Sequence, residues 1–270
     1  NKRIYLIRLF KAEKILADNE VDFGFKKVKM SDKTRLVNDV FSGVANNYDI
    51  MNDVMSLGIH RIWKNLMMDW LSPRPGQNLI DVAGGTGDIG KRFLDRCKGN
   101  AEVKIVDFTQ EMISFGKRKA EDYRYKNQLA WFCADAMRLP FSNDNFHSYT
   151  ISFGLRNVLD INKALEEAYR VLRPGGRILI LEFSTLIDEN LQRLYDKYSF
   201  GVIPWLGKVI AKDKESYQYL VESIRNFPKQ NELVDLMISA GFKEVKYRNL
   251  SMGIVALHLS LIHISEPTRL

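Results

Sequence analysis

A glycine-rich loop with acidic residues around it is the stretch of this sequence that points most directly to chemistry. Gly85-Thr86-Gly87-Asp88-Ile89-Gly90 matches the G-x-G-x-x-G pattern of dinucleotide-binding loops. Asp107 follows Gly85 by 22 residues, where such sites place an acid that binds ribose hydroxyls. Taken alone, the pattern is weak, and it fits a nicotinamide-dependent oxidoreductase as well as other nucleoside-binding enzymes.

The charges near the loop argue against a pyrophosphate ligand. Asp88 opens the predicted helix after the loop, where a pyrophosphate needs free N–H groups and positive potential. Asp81, just before the loop, adds a second negative charge. S-adenosylmethionine has no phosphate and carries a sulfonium and an ammonium group, so it fits both acids. We therefore assign Asp81, Gly85, Thr86, Gly87 and Asp107 to a cofactor site, with Asp107 accepting from two ribose hydroxyls.

A second candidate contact to the cofactor follows the third predicted strand. In Cys133-Ala134-Asp135-Ala136, the Asp135 carboxylate can accept from the adenine amino group, and the Ala136 N–H can donate to a ring nitrogen. The alternative is that Asp135 caps a helix N-terminus. Together with Asp107 at the end of the preceding strand, the segment favours a methyltransferase over a dehydrogenase.

Short apolar runs alternate with helical segments from Asn78 onward, which predicts an α/β protein with a parallel sheet and helices on both faces. The predicted strands are Leu79–Ala83, Glu102–Asp107, Ala130–Cys133, Ser148–Phe153, Arg177–Phe183, residues 243–249 and residues 253–259. The alternation stops after the fifth strand. Residues 187–228 are predicted to form a helical insertion, and Asp39–Trp70, which is mainly helical, precedes the first strand. These two segments are expected to cover the site.

Charge and composition limit the remaining function classes. The chain has 270 residues and a net charge of +7, but residues 1–35 hold ten Lys/Arg and five Asp/Glu, so the body is nearly neutral. That distribution argues against a nucleic-acid partner. No apolar run reaches the ~20 residues that span a bilayer. The two cysteines, Cys97 and Cys133, have no metal-binding spacing and are expected to be buried, and we predict no metal site.

The chain is predicted to comprise a basic arm (residues 1–35), a methyltransferase domain (36–260) and an atypical tail (261–270). Asn1–Lys14 is basic and amphipathic. Two interpretations stay open for it: a solvated basic helix, or the remnant of a mitochondrial targeting segment.

Two long segments resemble the signatures of the ubiquinone/menaquinone biosynthesis C-methyltransferases. The first is YDIMNDVMSLGIHRIW (residues 48–63), and the second runs from RVLRPGGR (170–177) to LEFS (181–184). FGLRNV (153–158) and DKYSF (196–200) resemble further family segments, and Phe23-Gly24-Phe25 resembles the mitochondrial branch. The resemblance covers about residues 23–258.

This resemblance implies a seven-stranded, Rossmann-like fold of the class I S-adenosylmethionine-dependent methyltransferases. It implies methylation of a ring carbon of 2-methoxy-6-polyprenyl-1,4-benzoquinol, the polyprenyl benzoquinol substrate of a late step in coenzyme Q biosynthesis. It also implies cofactor contacts at Thr86, Asp107, Asp135, Ala136 and Ser152. The expected partners are other coenzyme Q biosynthetic enzymes in a complex and a second copy of the chain. The expected location is the matrix side of the mitochondrial inner membrane, by peripheral contact.

Methylation at a ring carbon requires a group that stabilises a phenolate and a group that accepts a proton. Arg156, just past the fourth strand, is the candidate for the first task, with a structural ion pair as the alternative. His60 is the leading candidate for the second because its ordinary pKa lies near neutrality, and a packed structural histidine is an equally open alternative. Tyr48 and Asp49 are weaker candidates that would orient the quinol. Met51, Met55, Trp63 and the Val202–Leu206 loop are candidates for lining a prenyl tunnel. A nicotinamide-dependent quinone oxidoreductase and a non-catalytic lipid-binding scaffold remain as alternatives.

Overall fold

A computed structural model of the chain describes residues 20–44, 52–53, 56, 58–206 and 213–262. Its strands are β1 (Glu20–Phe23), β2 (Lys26–Lys29), β3 (Asn78–Val82), β4 (Glu102–Asp107), β5 (Leu129–Cys133), β6 (Phe146–Ser152), β7 (Leu172–Phe183), β8 (Lys243–Leu250) and β9 (Val255–Leu261). Its helices are α1 (Met30–Val44), α2 (His60–Leu71), α3 (Asp88–Arg96), α4 (Gln110–Ala120), α5 (Ile161–Val171), α6 (Glu189–Lys197), α7 (Ile203–Leu206), α8 (Lys214–Arg225) and α9 (Gln230–Ser239).

Seven of the strands form one sheet in the order β5-β4-β3-β6-β7-β9-β8, which confirms the predicted strand count. The first five strands in this order, β5, β4, β3, β6 and β7, run parallel to one another. In contrast to the all-parallel prediction, β9 is antiparallel to both β7 and β8. The reason is the short turn Ser251–Gly253 between β8 and β9, because a connection this short joins only antiparallel strands.

The strand order reverses between β3 and its neighbour β6, since the chain moves outward from β3 to β5 and then returns to β6. Ligands of open α/β sheets bind outside the carboxyl ends of the strands at such a reversal. The glycine-rich loop follows β3 at this point, and Asp107 is the last residue of β4. The topology thus brings together residues that the sequence separates by more than twenty positions.

The core lies in two layers, one on each face of the sheet. Leu79 of β3 packs with Phe93 and Met67 on one face, while its neighbour Ile80 packs with Leu165 and Tyr149 on the other. This follows from the two-residue period of a strand, which points successive side chains to opposite faces. Cys97 is buried in the first layer, but the prediction that Cys133 is buried is wrong, because Cys133 is exposed.

Residues 20–29 form a β hairpin that the sequence pattern did not indicate. Phe23 stacks on Tyr219 of α8 with ring centroids 4.2 Å apart, and the Phe25 N–H donates to Glu222 Oε2 at 3.0 Å. Part of the predicted basic arm therefore contacts the domain. The division into arm, domain and tail stays a prediction for residues 1–19 and 263–270, which lie outside the described residues.

The insertion after β7 contains α6, a π-helical turn (Tyr198–Val202), α7 and α8. Of the predicted tunnel residues, Val202 and Trp205 are exposed, and Trp63 lies in the core against Phe183. The tunnel itself stays a prediction. Met51 and Met55 lie outside the described residues. Within the described ranges, no helix combines the length and apolar character needed to span a bilayer.

Candidate active site

A cleft at the carboxyl edge of the sheet, which we call the switch-point cleft, contains about 850 Å³ of empty space. The loops after β3, β4, β5 and β6 form its floor, and α1 covers it. Of the predicted cofactor residues, Gly85, Asp107, Asp135 and Ala136 line this cleft. The face of α1 that covers it consists of Lys33, Thr34, Val37 and Phe41.

Asp107 is held rigidly at the end of β4. Its Oδ2 accepts the Gly85 N–H at 2.9 Å and its Oδ1 accepts the Thr109 N–H at 3.0 Å. Burial raises the pKa of this carboxyl to about 6, although these N–H donors favour the charged form. Each carboxylate oxygen keeps a lone pair beyond the one that its N–H occupies, so both can still accept a hydroxyl.

The glycine loop takes backbone conformations that require glycine. Gly87 has a φ of 73°, and a Cβ added there would lie 2.8 Å from the Trp131 ring. Gly85 has a φ of 50° and directs its N–H to Asp107. The glycine pattern therefore reflects a steric requirement, because the loop passes too close to Trp131 for a side chain at residue 87.

Asp88, whose charge was the main argument against a pyrophosphate, is paired in the structure. Its carboxylate lies 3.0 Å from Lys64 Nζ and 3.0 Å from Arg92 Nε. Burial opposes ionisation, yet these two cations hold the pKa of Asp88 at about 2. Because the charge is neutralised locally, Asp88 excludes an anionic ligand less firmly than the sequence suggested.

Asp81, Thr86 and Ser152 lie behind the loop, around a small polar cavity that Lys64 also lines. Asp81 is completely buried, and Thr150 Oγ1 donates to its Oδ1 at 2.8 Å. Burial raises the pKa of Asp81 to about 7. Asp81 Oδ2 and Ser152 Oγ are buried without a hydrogen-bond partner. This cavity therefore presents an unsatisfied carboxyl oxygen and an unsatisfied hydroxyl, next to a lysine that is paired with Asp88.

Asp135 sits in a tight turn rather than at a helix start. Its Oδ1 accepts the Met137 N–H at 2.8 Å, and a bridge pairs Asp135 with Arg138. The alternative interpretation as a helix N-cap is therefore not what the structure contains. Asp135 and Ala136 line the same cleft as Asp107. They follow β5, which lies one strand further than β4 from the point where the strand order reverses.

Arg156 is engaged in a buried ion pair. Its guanidinium donates from Nη1 to Glu182 Oε2 at 2.9 Å and to the Phe153 carbonyl at 2.6 Å. Both side chains are almost completely buried, at 3% and 2% exposure. Arg156 does not line the switch-point cleft. It lines a second cavity beneath the β1–β2 hairpin, with its Nε unpaired. Its role in phenolate stabilisation stays a prediction, and Glu182 already neutralises its charge.

His60 is buried at the start of α2 and lines neither the switch-point cleft nor the cavity beneath the hairpin. Ser56 Oγ lies 2.9 Å from its Nδ1, and Asp53 Oδ1 lies 3.6 Å from the same atom. Burial, reinforced by Lys64 and Arg61, lowers the pKa of His60 to about 4. The imidazole is therefore neutral and a weak base near pH 7. The other candidates, Tyr48 and Asp49, lie outside the described residues.

Sequence reasoning missed two lysines at these cavities. Lys64 lines the small polar cavity, and Lys33 lines both the switch-point cleft and the cavity beneath the hairpin. A usable signal was present for the second: Lys33, Val37 and Phe41 recur every four residues, which places them on one face of a helix. Assigning residues 1–35 to a basic arm hid that pattern.

The chain matches the model of a known family and has close curated relatives. Residues 27–262 match the ubiE/COQ5 methyltransferase family. The ubiquinone/menaquinone biosynthesis C-methyltransferase UbiE of Paracoccus denitrificans is 58% identical over 88% of this chain and 95% of the relative. The mitochondrial 2-methoxy-6-polyprenyl-1,4-benzoquinol methylase of Bos taurus is 48% identical, over 88% of this chain and 82% of the relative.

Solved structures share the fold at much lower identity. A SAM-dependent methyltransferase from Aquifex aeolicus superimposes with a TM-score of 0.53 at 14% identity, covering 74% of this chain and 89% of that one. At this identity the likeness shows the fold alone. It confirms the predicted Rossmann-like class I methyltransferase architecture.

Proposed function

This chain belongs to the ubiE/COQ5 methyltransferase family, and from that membership we propose the reaction that its site performs. The chain is an S-adenosylmethionine-dependent C-methyltransferase of ubiquinone biosynthesis, and its substrate is a 2-methoxy-6-polyprenyl-1,4-benzoquinol. The observation that carries the assignment is the Asp107 carboxylate, held by the Gly85 and Thr109 N–H groups at the sheet's reversal point.

The residues of the switch-point cleft and of the neighbouring small polar cavity, which share Ala83, fit S-adenosylmethionine. Asp107 would accept from the ribose hydroxyls, while Asp135 and Ala136 would contact the adenine edge. Asp81 Oδ2, Ser152 Oγ and Lys64 offer an acceptor, a hydroxyl and a cation, which suit an ammonium and a carboxylate. Because a buried polar atom without a partner costs free energy, the unpaired Asp81 Oδ2 and Ser152 Oγ favour a polar ligand there. When bound, the cofactor supplies an electrophilic methyl group on its sulfonium.

The acceptor carbon must carry negative charge, and only the reduced ring can provide it. A quinol ionises to a phenolate, which places charge on the ortho carbon, whereas a quinone is electrophilic at that carbon. We expect label from methyl-labelled S-adenosylmethionine to enter a short-chain methoxy-benzoquinol kept reduced with dithionite. Equal incorporation of the methyl label into the oxidised quinone under oxidising conditions would contradict this mechanism and favour a redox enzyme.

Cofactor affinity is expected to fall at low pH because Asp107 must be ionised to accept both hydroxyls well. Its pKa of about 6 in the free protein lies above the ordinary value of 3.8. Lowering the pH from 7.5 to 5 therefore protonates most of the Asp107 carboxyl groups. One pH unit below the pKa, only about one in ten stays ionised, so the dissociation constant should rise roughly tenfold. Calorimetry across this range measures the effect. Asp107→Asn should flatten the profile, and an equally steep profile in that variant would assign the dependence to another group, such as Asp81.

We also propose a mitochondrial location with peripheral contact to the matrix side of the inner membrane. Its similarity to the mitochondrial methylase of Bos taurus supports the mitochondrion. Membrane contact, a complex with other coenzyme Q biosynthetic enzymes and a homodimer are expectations from the family resemblance. Fractionation of tagged protein, followed by carbonate extraction and chemical cross-linking, would test them. Recovery of the protein wholly outside mitochondria would contradict the location.

A further inference from the structure

Lys33 of α1 stands where the switch-point cleft meets a second cavity. The second cavity, which we call the hairpin cavity, lies between the β1–β2 hairpin, α8 and the start of α5 and encloses about 1130 Å³ of empty space. Lys33, Val158 and Leu159 line both cavities. A molecule that occupied the hairpin cavity and reached toward the switch-point cleft would pass these three residues.

The hairpin cavity offers apolar side chains to a prenylated ring, beside charged and polar side chains that line a similar share of its surface. The apolar side chains that line it include Val21, Met30, Ile161, Phe227 and Leu236. Since the proposed cofactor residues line the other cavity, an acceptor ring in the hairpin cavity meets the cofactor at the junction. The reacting ring would therefore lie next to Lys33.

Lys33 is also the cation at this junction whose charge is least neutralised. Arg156, which lines the hairpin cavity, is paired with Glu182, and Lys27 pairs with Asp22 at 2.8 Å. No described carboxylate lies within ion-pair distance of Lys33, and Asp22 acts on it only from further away. Only 9% of Lys33 is exposed, and burial lowers its pKa. Among the described residues that line the switch-point cleft, Lys33 is the one cation.

We propose that Lys33 is a catalytic residue of the methyl transfer, and that its ammonium group binds the ring oxygen next to the accepting carbon and stabilises it as a phenolate. An opposite charge nearby lowers the pKa of a phenol, which is ~10 in water. The phenol proton leaves to solvent water. The ortho carbon then forms a bond to the methyl carbon, and the electron pair of the broken S–C bond stays on sulfur. Loss of the ring proton from that carbon to solvent restores the aromatic quinol. This inference rests on the proposed function.

Several charged or titratable groups face Lys33 across the two cavities and set its environment. They are Glu20, Asp22, Lys27, Asp107, Asp135, Arg156, Asp160 and Tyr219. Among them, Asp22 favours the ammonium form of Lys33, while burial opposes it. A substrate phenolate adds one more negative charge at the junction and so favours the ammonium form further.

Kinetics of Lys33→Met, Lys33→Arg and the exposed control Lys117→Met test this role. We expect Lys33→Met to lower kcat about 100-fold, as loss of one preorganised electrostatic donor does. Its affinity for S-adenosylmethionine should stay within threefold of wild type. The rising limb of its kcat profile should move to higher pH, and a quinol with an electron-withdrawing substituent should recover much of the loss. Lys33→Arg should retain more activity, and Lys117→Met should match wild type.

A second readout does not depend on catalysis. A prenylated nitrophenol, whose phenolate is coloured, should bind wild type with a lowered phenol pKa and bind Lys33→Met with a pKa near its value in water. Lys33→Met should melt no lower than wild type, because it replaces a poorly paired buried ammonium with an apolar side chain of similar length. If that variant does not fold, Lys33→Gln serves in both measurements.

The outcomes separate the two claims. If wild type transfers no label to any reduced quinol, the proposed function fails, and the nitrophenol titration still decides whether Lys33 stabilises a phenolate. If wild type is active and Lys33→Met matches it in kcat, pH profile and nitrophenol pKa, Lys33 has no such role. A large loss of cofactor affinity in Lys33→Met would also overturn the proposal, because it would move the residue to the cofactor site.

Discussion

Replacing Arg156 with Met is expected to lower the free energy of unfolding by about 3–5 kcal/mol, because it leaves the buried Glu182 carboxylate without its partner. The substitution also removes the donor to the Phe153 carbonyl and the cation over the Phe183 ring. Urea unfolding followed by far-UV circular dichroism measures the loss.

The loss should grow with pH. Burial raises the pKa of Glu182 above its ordinary value of 4.5, and Arg156 opposes that rise. Without Arg156 the pKa rises further, so the folded state holds a proton that the unfolded state releases. Stability is therefore lost as pH rises above about 4.5, and the variant should differ least from wild type near pH 4. A loss under about 1 kcal/mol at pH 7.5 would show that the pair does little for stability.

A paired substitution separates the structural role of Arg156 from a chemical one. The double variant Arg156→Met/Glu182→Gln removes both charges and should recover a large part of the stability. If it is folded, binds cofactor and turns over about 100-fold more slowly than wild type, Arg156 also acts in the reaction. If its turnover stays within a few-fold of wild type, Arg156 is structural.

Replacing Asp107 with Ala is expected to weaken cofactor binding between tenfold and roughly 100-fold. A charge-assisted hydrogen bond contributes ~1.5–3 kcal/mol, and each 1.4 kcal/mol is a factor of about ten in affinity. The Gly85 N–H also loses its acceptor, so the glycine loop loses one of its fixed contacts. Calorimetric titration with S-adenosylmethionine measures the change.

The matched control is Asp122→Ala, which removes an exposed acid just after α4. It should leave the dissociation constant unchanged. The Asp107 variant should stay folded, because its side chain lies at a strand end. An unchanged dissociation constant in a folded Asp107→Ala protein would refute the assignment of this carboxylate to the ribose.

The sequence by itself indicated the seven strands of the large sheet and which of their ends carry acids. Leu79–Ala83 and Glu102–Asp107 were predicted within one residue of β3 and β4, because buried parallel strands are short apolar runs bounded by turn residues. Parallel strands end at one edge of the sheet, so Gly85, Asp107 and Asp135 could be expected to meet. The two long family segments then supplied the chemistry that a glycine loop alone leaves open.

Only the tertiary structure decided which partner each charged side chain has. Arg156 and Glu182 are 26 residues apart, Lys64 and Asp88 are 24 apart, and the hairpin contacts Tyr219 almost 200 residues away. Local patterns do not record such pairings, since they depend on how helices and strands pack after the backbone has formed. For this reason the sequence left open whether Arg156 acts in the reaction or forms a structural ion pair, and it assigned Lys33 to a basic arm. The fold instead buries Arg156 against an acid and places Lys33, poorly paired, between two cavities.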